Sequence, residues 1–110
     1  MALHHVAPAE VIDLAHAPAD APEDQSSALF RTPELEVIRR VLQRHQSVAS
    51  HHVDGPIVFQ CLSGWVGISA GGHEIALRPG QLTYLAPSES YALTGIEDSV
   101  LLMTIVRRHE

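Results

Sequence analysis

The residues able to do chemistry in this chain are few: the adjacent pair His51-His52, the single cysteine Cys61, Tyr91, and the acidic pair Glu97-Asp98. A neutral imidazole can hold a divalent metal, and it titrates near neutrality as an acid or base. On a strand, neighbouring side chains point to opposite faces, so only one of two adjacent histidines can enter a shared interior. His51 is the candidate. A thiol reacts as its thiolate and needs an electropositive, partly exposed surrounding. No basic residue occupies an inward position next to Cys61, which reads as a buried, inert thiol. Tyr91 offers a phenol for hydrogen bonding, but with a pKa of about 10 it is a poor metal ligand near neutral pH unless a metal lowers that value. Glu97-Asp98 follow Gly95 in a turn and read as solvated acids. His4, His5, His16 and His109 lie near the termini and His73 at a hairpin tip, all read as exposed.

These residues sit on or beside a run of short apolar segments between Gly55 and Pro87, each ended by glycine or proline. Ile57–Leu62 places Ile57, Phe59 and Cys61 on one face and Val58, Gln60 and Leu62 on the other. Trp65–Ser69, His73–Leu77 and Gln81–Leu85 follow, separated by Ser63-Gly64, Gly71-Gly72 and Pro79-Gly80. Gly-Gly suits a tight hairpin because glycine takes positive φ without steric cost. Strand-length runs at this spacing predict an antiparallel sandwich or barrel. Tyr91–Thr94 makes a further run, and Ser99–Val106 reads as a strand suited to burial on both faces. By alternation Leu93 joins Ile57, Phe59 and Cys61 on the inward side. That apolar floor suits a small-molecule pocket and a plain core equally.

Upstream the pattern is weaker. Residues 1–28 are rich in Ala, Pro and acid and read as a partly exposed arm, with Ala9–Leu14 as a short strand or a helical turn and little to bury beyond it. Leu35–Leu42 fits a helical stripe and a strand face alike, with periodicity leaning to helix. Residues 29–110 form the remaining body.

The chain has 110 residues, 45% of them apolar, and carries a net charge of −6 with histidines neutral. That length gives one domain with a core of its own. The acidic balance disfavours nucleic acid and anionic membranes as partners. Arg39-Arg40 and Arg107-Arg108 read as solvated faces rather than binding patches. No run approaches the roughly 20 apolar residues of a membrane span. Glu10 and Asp13 interrupt the N-terminal segment, which therefore lacks the apolar stretch of a signal peptide. With a lone cysteine this points to the cytoplasm.

The segment from His51 to Ile105 resembles the cupin superfamily, in particular its small single-domain RmlC-like members. The likeness is carried by His51-His52-Val53-Asp54-Gly55-Pro56-Ile57, Cys61-Leu62-Ser63-Gly64, the run from Leu77-Arg78-Pro79-Gly80 to Pro87, Tyr91-Ala92-Leu93, and Ile96-Glu97-Asp98-Ser99. The resemblance implies an all-β fold, a double-stranded β-helix or jelly-roll barrel forming a single domain, with a cavity at its mouth. It also implies a homodimer, and it turns Leu35–Leu42 from helix to strand.

Many cupins hold a metal with two histidines and a glutamate from a first motif and a histidine from a second, a donor set suited to a divalent transition metal with open positions. Counted back from Gly64, the glutamate position falls on Ile57, the second histidine on Val53 and the motif's opening glycine on His45. The second-motif histidine falls on Tyr91. Only His51 matches a ligand. The expectation is therefore a barrel that binds a small molecule without the usual metal set, with His51, Val53, Ile57, Phe59, Cys61, Tyr91 and Leu93 as its site and no catalytic residues assigned. The alternative is a metal-dependent enzyme of dioxygenase or isomerase type, with a divalent transition metal at His51 and non-standard ligands.

Overall fold

The computed structural model describes residues 6–19, 21–48 and 55–107. Nine strands make up the described barrel: β1 (Ser27–Arg31), β2 (Leu35–Leu42), β3 (Ser47–Val48), β4 (Ile57–Ser63), β5 (Val66–Ala70), β6 (His73–Leu77), β7 (Leu82–Leu85), β8 (Tyr91–Gly95) and β9 (Ser99–Val106). They form a five-stranded sheet in the order β1-β2-β9-β4-β7 and a four-stranded sheet in the order β3-β8-β5-β6. Every pairing is antiparallel. No helix occurs among the described residues, and none is long and apolar enough to cross a membrane.

Leu35–Leu42 is a strand over its whole length, paired residue for residue with Ser99–Val106. Local periodicity leaned the other way. The eight-residue ladder to β9 decides the conformation, because cross-strand packing outweighs a weak helical preference. Ala9–Leu14 is neither strand nor helical turn: it crosses the surface in irregular backbone with turns at either end.

The two sheets face each other over one apolar core. Leu42, Ile57, Phe59, Cys61, Val66, Ile68, Leu93 and Leu101 are buried at its centre. β8 and β9 alternate between buried and half-buried positions throughout, and β4 does so up to the exposed Ser63 at its end, the period of two that a strand with one inward face requires. The outer positions of β9 are half-buried, so the burial on both faces that its apolar run suggested is only partial.

Gly71 and Gly72 both adopt left-handed backbone, φ 58° and 79°, and close the β5–β6 hairpin tightly. Gly64, at the end of β4, has φ 83°, and a Cβ there would strike the carbonyl oxygen of Asp98. That close approach lets the Ser99 hydroxyl accept from the Trp65 amide at 2.9 Å.

The arm has more to bury than its composition promised. It runs across the outer face of β1 and β2, where the Val6 amide donates to the Leu29 carbonyl at 2.9 Å. β1 itself begins at Ser27, inside the range read as arm. Arg39 is 3% exposed rather than solvated. Its Nη1 donates to the Glu23 carbonyl at 3.2 Å and its Nη2 to Glu23 Oε2 at 3.3 Å.

Candidate functional site

Register places the inward residues in rows across the five-stranded sheet. Ile38, Met103 and Phe59 lie side by side, and the next row holds Arg40, Leu101 and Cys61. The facing sheet contributes Tyr91 opposite Ala70, and Leu93 opposite Ile68 and Val48. Ile57, Phe59, Cys61 and Leu93 therefore meet in one cluster, as their alternation predicted, and Tyr91 joins them. The Phe59 and Tyr91 rings join the sheets edge to face, with centroids 5.3 Å apart. His51 and Val53 lie outside the described residues.

Arg40 is the residue that sequence reasoning missed at this site. It shares the inward face of β2 with Ile38 and the fully buried Leu42, and its Nε is buried without a hydrogen-bond partner among the described residues. Its charge reaches Tyr91, where it favours the phenolate. Burial is the stronger influence and pushes the Tyr91 phenol above its ordinary range. The phenol stays protonated and can donate as well as accept. A guanidinium and a protonated phenol are both donors to an anionic oxygen. Alternation with Ile38 and Leu42 was the available signal, weakened because the segment's periodicity fits a helical stripe as well as a strand face.

Cys61 has no such neighbours. Burial pushes its thiol up, and a backbone hydrogen bond at Ser63 that lowers it is the smaller effect. Its Sγ also lies 3.4 Å from the Ser63 carbonyl oxygen. The thiol is structural, matching the inert reading.

Of the four positions that would carry metal ligands, Ile57 and Tyr91 lie among the described residues, and neither is a donor of the family's type. Ile57, at the glutamate position, is an apolar side chain sealed in the core. Tyr91, at the histidine position, presents a phenol that burial keeps neutral. No three His, Cys, Asp or Glu residues gather into a metal-binding group among the described residues. Ile57 and Tyr91 do not fit the family's metal set.

His45 stands at the motif's opening glycine and adopts left-handed backbone, φ 68°, a conformation glycine takes without steric cost. Its amide donates to the Gly95 carbonyl at 2.7 Å, tying the β2–β3 turn to β8. Elsewhere Arg78 stacks over the Trp65 ring at 3.8 Å, so Trp65 is engaged within the chain. Glu97 and Asp98 are exposed as expected, although Asp98 Oδ1 also accepts from the Arg44 amide at 2.7 Å.

Comparison with known structures bears on the fold. The chain aligns over its whole length with a conserved protein of unknown function from Streptococcus pyogenes, at 21% identity, 97% of that chain and a TM-score of 0.79. A cupin superfamily protein from Desulfitobacterium hafniense matches at 15% identity over 98% of this chain and 99% of its own, with a TM-score of 0.78. The chain has a cupin fold. An RmlC-like cupin from Shewanella frigidimarina agrees at 15% identity, 77% of each chain and a TM-score of 0.70. No family model and no curated protein sequence matches the chain. Likeness at such low identity establishes the cupin architecture and leaves activity to the site itself.

Proposed function

We propose that this cupin-fold chain binds a small molecule carrying an anionic group inside its barrel, without the usual metal set. The observation that carries this reading is the buried Arg40 Nε, unpartnered among the described residues, on the same inward face as the core and close enough to Tyr91 for its charge to act on the phenol. Arg40 is half-buried, and a buried guanidinium N–H without an acceptor leaves its own desolvation uncompensated. A ligand anion accepted by Arg40 and oriented by Tyr91 would offset that cost, while Phe59 and Leu93 supply apolar walls. The binding role for His51 belongs to this reading, as does a cytoplasmic location suited to the single buried thiol.

The test combines stability with binding. Arg40→Met removes the charge and keeps an unbranched apolar stem. It is expected to unfold at equal or higher urea concentration than wild type, and to abolish the thermal shifts that a panel of small carboxylates and phosphate esters gives with wild type. A variant that binds the same ligands unchanged would sink the proposal. So would purified protein carrying a full equivalent of a tightly held transition metal, which would restore the metal-dependent enzyme.

A further inference from the structure

The four-stranded sheet ends on β6, which is hydrogen-bonded to β5 alone. Every residue of β6 except Leu77 is exposed. Ile75 is the informative one. It shares an inward row with Ile68, Leu93 and Val48, yet it is 38% exposed where Ile68 and Leu93 are buried. The core row stops at an open edge.

Gly71-Gly72 joins β5 to β6, and Ala70 pairs with His73 across that two-residue turn. In such a hairpin the flanking pair exchanges both backbone hydrogen bonds, and bonded and non-bonded pairs then alternate. Ile75 and Leu77 therefore bond back to β5. The N–H and C=O of Glu74 and Ala76 point off the free edge, and among the described residues no backbone bond beyond the β5 ladder reaches them. Proteins blunt edges with bulges, prolines, lysines or very short strands. β6 keeps an unbroken register with β5 and has none of these, its one charge being Glu74. By contrast β1 is bulged, and β3 has only two residues.

On the outer face Ala76, Gly67 and Thr94 lie side by side in register. With no side chain at Gly67 and a methyl group at Ala76, the surface there holds a hollow of about 240 Å³. Glu74 is the one charge among its described lining residues, on a chain whose net charge is −6. The space suits a long cationic side chain laid across Ala76 and Gly67.

We propose that β6 is a docking edge for an extended segment of another protein, alternating apolar and basic residues, that adds antiparallel as a fifth strand of this sheet. Its backbone pairs with Glu74 and Ala76. An apolar residue opposite Ile75 extends the inward row and covers the isoleucine, in a non-hydrogen-bonded pair where side chains lie closest. An arginine opposite Ala76 enters the hollow and has Glu74 as its diagonal neighbour. A second copy of β6 would bring another Glu74 and no cation, so it leaves the hollow unfilled.

Isothermal titration of the full chain at low salt tests this with a capped heptapeptide alternating valine and arginine, against the same peptide with glutamate for arginine. The arginine peptide is expected to bind one per chain, at least tenfold tighter than the glutamate peptide. The arginines are the residues whose amides face β6, so N-methylation at the arginines should abolish binding while N-methylation at the inner valines preserves it. Ala76→Pro removes an N–H that points off the edge, leaves the β5 ladder whole and should abolish binding with an unchanged circular dichroism spectrum. Glu74→Arg should reverse the preference between the two peptides. Equal affinity for both peptides, no binding at millimolar peptide, or binding kept after N-methylation at the arginines overturns the proposal. So does self-association of the wild type that Ala76→Pro removes, which assigns the edge to a second copy.

Discussion

The rings of Phe59 and Tyr91 meet at 65° across the gap between the two sheets, one from β4 and one from β8. Tyr91 thus has a packing role, through its ring, that is separable from any role of its hydroxyl. Tyr91→Phe keeps the ring and should change unfolding free energy by no more than about 1 kcal/mol, the net worth of an ordinary hydrogen bond. Tyr91→Ala should cost about 3–5 kcal/mol, as large aromatic deletions in cores do. Urea unfolding of both variants decides it. A Phe variant as damaged as the Ala variant would place the hydroxyl in a structural network, unavailable to a ligand.

Cys61 makes a pH prediction with a definite sign. Burial raises its thiol in the folded chain above the ordinary value of about 8.5. Above that value the unfolded chain loses the proton before the folded chain does, so stability falls as pH rises. The contribution is intact at neutral pH and is lost from about pH 8.5 upward through the raised folded value. Tyr91 adds the same trend from about pH 10. Cys61→Ala should flatten the earlier part of this decline in urea midpoints measured from pH 7.5 to 10. In native protein at pH 8 a disulfide reagent should modify Cys61 only as fast as the chain unfolds. Rapid modification would mean that the thiol reaches solvent.

Both ends of the first motif run through left-handed backbone, at His45 and at Gly64, and the two positions respond oppositely to substitution. Gly64→Ala forces an L-residue into φ 83° and drives its Cβ against Asp98. The backbone alone costs about 1–2 kcal/mol, and the collision adds to it. Gly72→Ala, at φ 79° with open space around the added carbon, carries only the backbone cost. His45→Gly relieves the same strain at φ 68° and should stabilise by about 1 kcal/mol. Thermal unfolding of the three variants should rank His45→Gly above wild type, then Gly72→Ala, then Gly64→Ala.

Most of the barrel was legible from Gly55 onward, because turn dipeptides punctuate it and its strands alternate. Ile57, Phe59 and Cys61 announce their face by period alone. The upstream half was harder for a physical reason. β2 is buried on both faces, at Ile38 and Leu42 against the core and at Val37 and Arg39 on the other side, where Glu23 of the arm holds Arg39. A strand covered on both sides loses its alternation and can imitate a helix. The same double cover misled the reading of the arginines: a charged pair looks solvated until something is known to lie over each face. The arm's contacts depend on Glu23 meeting Arg39 from 16 residues away, which no local pattern encodes.

The outer face of the five-stranded sheet leaves Leu82 61% and Tyr84 69% exposed. Val58 and Thr104 flank Tyr84 in register, and Gln60 and Leu102 flank Leu82. None of these six side chains is charged, on a chain whose net charge is −6. Two like-charged copies can approach with least repulsion through such a face, which also offers aromatic and aliphatic area to bury. The homodimer implied by the family resemblance is therefore proposed to form here. Tyr84→Lys adds a charge to each copy on the most exposed side chain of that face, on the edge strand β7, and a twofold contact repeats the charge on both sides. Sedimentation velocity should show wild type as a dimer and Tyr84→Lys shifted toward monomer, with a circular dichroism spectrum unchanged. A wild-type monomer at tens of micromolar, or a variant dimer of undiminished affinity, would remove this face as the contact.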